Sequence, residues 1–433
     1  MSREKLRRGV SIPWLMGSFW VAAAPAVGAG VHAQSGPETV ALQGGRLLTV
    51  TNGVMENGTL VMRNGRIAAI GESVSVPQDA RVVDVSGMTV TPGLLDGFTN
   101  LGVADYPSLG RDDDEATDPV TPHLRITDAF NPENKFIPLA LASGVTAVLC
   151  APADGNLLAG QSAVVRLVGE TVEEMVVRFP VGVHGALGEA PKMRYGERNR
   201  MPQTRMGSAA LLRQTFVRVQ EYGEKLAWHQ ERMEAWDRED EGTEPDPPER
   251  DPKLEALLPV LRGETPLIVS ADRFDDLHTV LRIAGEFDIP LILNHGAEAH
   301  RVARELAEGE IPVVWGPGNA AFRELESRKG DPVTPMALAE AGVPFAFQTG
   351  SVENVTGLLA EARLAVRHGL APEEALRALT LYPARMFGVA DELGVLEVGK
   401  AADVVVFSSD PLEESGRVEM VFVGGERVRE PGP

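Results

Sequence analysis

The chain has 433 residues, 43% of them apolar, with 41 basic and 62 acidic side chains, a net charge of −21 and a single cysteine. Length and apolar content exclude a small module or general disorder and suit one large α/β domain with an appendage. The acidic balance excludes nucleic acid and anionic membrane as partners, because phosphate binding needs clustered Lys and Arg, and a lone Cys150 excludes an internal disulfide.

In chain order, residues 1–33 read as a secretory signal peptide. Arg3, Lys5, Arg7 and Arg8 form a basic start, residues 9–30 a stretch of small apolar residues, and Val31-His32-Ala33 a small-x-small cleavage site. An uncleaved anchor is the alternative, and Pro13, Pro25 and four glycines count against it. The expectation is an exported, periplasmic or secreted protein, with no membrane contact once cleaved near Ala33. The Arg7-Arg8 pair alone does not fix the export route. Cleavage removes four basic residues and one acid, leaving a net charge of −24.

Residues 38–90 read as short strands. Asn64-Gly65 between Thr59–Arg63 and Arg66–Ile70 is a hairpin signal, because both turn positions favour positive φ. A matching β segment closes the chain over residues 391–430, with Ala402–Phe407 and Glu419–Val423 as its strands. Neither segment can bury a sheet face alone, so the two are expected to pair into one small composite β-sandwich.

Between them, over residues 91–390, short β-branched runs alternate with helical patterns, which implies parallel strands and helical crossovers. Strands are expected at Val145–Cys150, Val181–Leu187, Pro266–Ser270, Pro290–Asn294, Pro312–Trp315 and Pro344–Gln348, with one ending at Asp96 and an eighth around Ala163–Leu167. Helices fit Ser208–Ala235, Arg273–Glu286, Glu298–Ala307, Glu353–Arg367 and Pro372–Leu379. A closed parallel barrel of eight is the economical arrangement. Residues 237–251 hold eight acids and read as a solvated insertion. Arg111–Glu115 has a similar composition, but it follows the first barrel strand, so a ligand or metal role there stays open. Cys150 sits in an apolar run and is expected to pack rather than react.

Three stretches together resemble the amidohydrolase superfamily, in particular its exported imidazolonepropionase-like members. They are Gly65–Gly71 leading to Thr91-Pro92-Gly93-Leu94-Leu95-Asp96; Glu374–Thr380 with Pro383-Ala384 and Gly388; and Leu393–Gly399 with Lys400-Ala401-Ala402-Asp403. Gly155-Asn156, Gly160-Gln161, Gly188–Lys192 and Thr204–Gly207 resemble one exported branch of that group. The resemblance implies an α/β fold, a (β/α)8 TIM-type barrel with the composite β-sandwich, and hydrolysis of non-peptide carbon–nitrogen bonds. It also implies one or two divalent ions, zinc among them, that activate a water while an Asp on the last strand moves the proton.

The implied ligands carry over poorly. Phe98 and Asn100 stand where the family has His-x-His, Ser270 where it has a ligand His, and Gly350 where it has the catalytic Asp. Glu189 and His295 remain as matched metal ligands, and His184 falls where relatives often show Lys. Two ligands are too few for a tightly held zinc, which normally takes three plus water. The resemblance therefore implies a metal that is weakly bound or absent, and activity that is weak, altered or lost. His295 could equally be a hydrogen-bonding residue of a polar mouth, and His184 an interior histidine. Asp96, Asn100, His184, Asp272 and Thr349 are further candidates for the pocket. His123, His229, His278, His300 and His368 are expected on the surface. Three readings stay open: a weak or altered hydrolase, a silent subunit paired with an intact amidohydrolase or with itself, and a barrel that binds a small molecule.

Overall fold

The computed structural model describes residues 39–105, 110–239, 244–318 and 326–428, without the side chains of residues 238 and 239. The expected signal peptide lies outside them. The first strands in chain order are β1 (Val40–Leu48), β2 (Val54–Arg63), β3 (Arg66–Gly71), β4 (Arg81–Asp84) and β5 (Thr89–Pro92). Then follow β6 (Leu94–Thr99), β7 (Val145–Cys150), β8 (Gly160–Gln161), β9 (Ala163–Arg166), β10 (Val176–Arg178) and β11 (Val183–Ala186). The series continues with β12 (Leu267–Ala271), β13 (Leu291–His295), β14 (Val313–Trp315) and β15 (Phe345–Phe347), and closes with β16 (Val404–Phe407), β17 (Val418–Val423) and β18 (Glu426–Arg427).

The two ends of the chain meet in one eight-stranded sheet, ordered β18-β17-β16-β5-β1-β2-β3 with β4 on β1. Asn64 and Gly65, at φ of 53° and 74°, make the tight turn between β2 and β3 that their residue types demand. β16 runs antiparallel to β5, with Val405 opposite Thr91. All four residues of β16 are buried because both faces of the sheet are covered: Val404 and Val406 join Leu42, Leu60 and Phe422 on one face, and Val405 and Phe407 join the main core on the other. Asp403, just before β16, ties this sheet to the central strands. It pairs with the Arg166 guanidinium and accepts the Gly424 N–H at 2.8 Å.

The central strands form two sheets, β10-β9-β7-β6 and β15-β14-β13-β12-β11-β8. β11 to β15 are mutually parallel, as are β6 and β7. Ser162, between β8 and β9, joins the two sheets: it donates to Gly182 O at 3.1 Å and accepts the Val181 N–H at 3.0 Å. At the other side Gly350 N–H donates to Phe98 O at 3.0 Å, linking the end of β15 to β6. Leu95, Ala147, Leu149, Val164, Ile268, Ile292 and Val314 converge in one apolar cluster, closed on one side by Phe387 and Leu393 and including Phe98. Gly97 has no room for a side chain there, since a Cβ would stand 2.8 Å from Val314 and 2.9 Å from Phe347 O.

One expectation is corrected. The stretch around Ala163–Leu167 is a strand, but it pairs antiparallel with β7, and β8 pairs antiparallel with β11. The reason is the connection: no helix lies between β7 and β8, and a parallel return needs a crossover of about a dozen residues or more, usually helical. Among the helices, Arg205–Glu239 runs 35 residues, about 52 Å at 1.5 Å per residue. Leu212, Phe216, Val219 and Tyr222 bury one face of its first half. Its later part is largely exposed, with Trp228 at 59%. Among the described residues, no helix is long and apolar enough to cross a membrane.

Candidate functional site

The chemistry-bearing residues gather where the parallel strands end, the edge at which an α/β fold presents its loops. β6 delivers Asp96, Phe98 and, just past its end, Asn100. Asp96 is buried and accepts the Thr349 hydroxyl at 2.5 Å, the Thr349 N–H at 3.0 Å and the Phe98 N–H at 3.3 Å. Burial pushes its carboxyl up to about 7, although the Thr349 bonds pull the other way. Asn100 is also buried and bridges two loops, donating to Asp113 at 2.8 Å and accepting the Val352 N–H at 2.9 Å.

The Phe98 ring packs near two histidines, 5.7 Å from His184 and 5.8 Å from His295 between ring centroids. His295 ends β13 at φ 69°, a left-handed conformation that a non-glycine residue adopts at a cost and that concentrates at functional sites. Its Nε2 meets Asp154 Oδ2 at 2.9 Å. Burial raises the Asp154 carboxyl, but His295, the Ser270 hydroxyl and His184 together hold it below the usual carboxylate range. A polar ladder continues across the strands: Asn294 donates to the Ser270 hydroxyl at 2.8 Å, and Gln348 donates to Asn294 at 2.9 Å. His184, 3% exposed, is kept neutral by burial, which drives its pKa down to about 3, and its Nε2 is buried without a hydrogen-bond partner.

A cavity of about 260 Å³ opens beside this group, lined by Asp272, His295, Trp315, Thr349, Gly350, Ser351 and Asn354 among others. Of the expected pocket residues, Asp272 and Thr349 line it with His295, whereas Asp96, Asn100 and His184 are buried and do not line it. Burial raises the Asp272 carboxyl, His295 offsets part of that, and Asp154 adds to it. Gly350 sits at φ 76° with Pro317 3.1 Å from where a Cβ would stand.

Glu189 and His295, the two matched ligands, have different partners. The Glu189 carboxylate accepts Lys192 at 2.7 Å and Arg205 at 2.6 Å, and these cations hold it below the usual range. Arg205 also binds Asp276 at 2.8 Å and Glu326 at 2.6 Å, so this cluster is an ion-pair knot joining the first turns of three helices, Glu189–Gly196, Arg205–Glu239 and Phe274–Phe287, to the segment at Glu326. The Arg111–Glu115 loop is likewise engaged: Asp113 pairs with Arg111 at 2.6 Å, and Asp114 pairs with Arg194. Cys150 is a packing residue, its thiol pushed up by burial and donating to Leu101 O at 3.2 Å. Of the five histidines expected on the surface, only His368 is exposed; the others are half-buried, with His300 bonded to Thr334 at 2.9 Å.

These residues do not fit the family's metal. The Phe98 ring packs near both histidines and offers no lone pair, His295 is committed to Asp154, and Glu189 to Lys192 and Arg205. Among the described residues, no group of three or more His, Cys, Asp or Glu side chains is placed to hold a metal ion. Sequence reasoning missed Asp154, Trp315 and Gln348. Asp154 follows β7 in an Ala-Asp-Gly turn, and its position in a loop at a strand end was the only available signal.

The sequence profile of the amidohydrolase family matches residues 264–428. The chain is 28% identical over 393 residues to amidohydrolase tasK of Hapsidospora irregularis, covering 85% of this chain and 39% of that protein. It is 33% identical over 140 residues to the imidazolonepropionase of Shouchella clausii, covering 30% of each. The chain thus spans well under two thirds of these curated relatives. A crystal structure of an amidohydrolase from Thermotoga maritima is similar over 90% of this chain and 100% of its own, with a TM-score of 0.83 at 35% identity. That match spans nine-tenths of this chain and the whole of its counterpart, and so the chain belongs to the amidohydrolase family.

Proposed function

We propose that the central strands close into the TIM-type barrel of the family, and that the barrel mouth is a metal-free small-molecule site. In this reading the family's hydrolysis of non-peptide carbon–nitrogen bonds is weak or absent. The observation that carries it is the buried Phe98 ring, packed 5.7 Å from His184 and 5.8 Å from His295 between ring centroids. A buried aromatic offers no lone pair to an ion, and displacing it from a packed core costs about 3–5 kcal/mol of the contacts it makes. Gly350 supports the same conclusion, because a metal-activated water needs a proton acceptor at that place and glycine has none.

What remains is a polar mouth. His295 is held by Asp154, with Asp272 beside the same cavity, and a histidine oriented by a carboxylate is a competent general base without any metal. Any residual hydrolysis therefore runs through His295. The test is zinc content of the purified full chain alongside His295→Ala. The expected result is far less than one zinc per chain in both proteins, and residual amide hydrolysis that survives chelator and disappears in the variant. One zinc per chain, lost in His295→Ala, would overturn the proposal.

A further inference from the structure

The charge and hydrogen-bond inventory of the mouth is one-sided. No lysine or arginine lines the cavity among the described residues, whereas Asp272 does, and Asp154 stands 2.9 Å behind His295. Both carboxylates stand close enough to feel each other and His295. The unmatched polar atom nearby is also an acceptor. Gln348 is fully buried; its amide nitrogen donates to Asn294 at 2.9 Å and to Val314 O at 3.0 Å. Its Oε1 has no partner and lies 3.9 Å from where a Cβ on Gly350 would stand, at the residue that lines the cavity. Trp315 supplies an aromatic wall.

Resting on the metal-free reading of the mouth, we propose that this cavity binds a small organic cation bearing N–H donors, of the amidinium, guanidinium or primary ammonium type. Such a group supplies the positive charge that paired carboxylates favour. It supplies the donor that a buried amide oxygen otherwise lacks, and a flat or compact cation suits an indole wall. A neutral amide of the same shape brings N–H donors but leaves the carboxylates uncompensated. A quaternary ammonium brings the charge but no donor for Gln348. These two comparisons separate the charge from the hydrogen bonds.

The experiment titrates acetamidinium, its neutral isostere acetamide, and tetramethylammonium into the full chain by calorimetry at matched ionic strength, after zinc has been measured in the same sample. Acetamidinium is expected to bind at least about tenfold more tightly than either comparison compound, a difference of about 1.4 kcal/mol. Asp272→Asn keeps the shape and is expected to abolish that preference, leaving acetamide unchanged. Gln348→Leu is expected to weaken acetamidinium with retention of the fold, checked by its thermal melt. Equal binding of acetamidinium and acetamide, no saturable binding of acetamidinium, or an unaltered preference in folded Asp272→Asn would each overturn the inference. In a zinc-free sample any of those results leaves the metal-free reading standing, whereas stoichiometric zinc overturns that reading first.

Discussion

At the scale of single residues, the polar side chains at the strand ends are engaged with one another. Asn100 uses both ends of its amide to fasten the Arg111–Asp113 loop to the segment at Val352. Asp96 is an acid in an apolar wall, its carboxyl raised to about 7 by burial. The sign of its contribution follows. Between pH 4 and 7 the unfolded chain releases this proton while the folded chain keeps it, so stability falls as pH rises through that window and levels off above 7. Asp96→Asn removes the effect. Its melting temperature is expected to gain on the parent chain as pH rises from 4 to 8, by up to about 4 kcal/mol of stability. A gap that stays constant over that range would contradict the assignment.

Positions 98, 100, 270 and 350 were legible in the sequence as strand-end residues, because the apolar runs before them mark where the strands stop. Their partners were not legible. Asp154 sits in a loop whose length and path no periodicity reports, and the opposition of Phe98 to two histidines arises only when β6, β11 and β13 are brought together. Glu189 shows the same limit: its identity was readable, but its capture by Arg205 depends on the start of a helix and on Glu326 far along the chain.

Among the elements, strands with long apolar runs were placed to within a residue or two, and the orientation of the β8–β9 stretch was not. Hydrophobic pattern distinguishes buried from exposed faces but carries no direction, so only the missing helical crossover could have revealed the antiparallel pairing. The ion-pair knot at Arg205 fixes several of these elements to one another. It joins the loop after β11 to the helix Phe274–Phe287 through Asp276 and to the segment at Glu326. Asp276 is 3% exposed, so removing its partner strands a buried carboxylate. Arg205→Met is expected to cost about 3 kcal/mol in urea unfolding at neutral pH, shrinking as pH falls and the acids protonate. A loss under 1 kcal/mol at neutral pH would show that the knot is a surface feature of little consequence.

For the molecule as a whole, the terminal sheet is the feature on which the two ends of the sequence depend. β16 lies between β5 and β17, and its four buried residues contribute to both cores. A chain ending at residue 403 would leave β5 with an open edge and expose Val90, Leu42 and Leu60. That truncated protein is expected to aggregate on expression rather than fold with slightly lower stability. A soluble, monomeric truncate with a cooperative melt would refute the dependence.

The same arrangement sets a clock on synthesis. β5 is complete at residue 92, yet the strand that covers its edge begins at residue 404. At about 5–20 residues per second that is roughly 15–60 s of elongation, during which a strand destined to be buried has no neighbour on one side. An unpaired edge is a template for another chain's backbone. Newly made copies on one messenger are therefore most vulnerable to each other at this strand, and a holdase that shields residues 89–92 would protect the yield of protein without changing the stability of the finished fold.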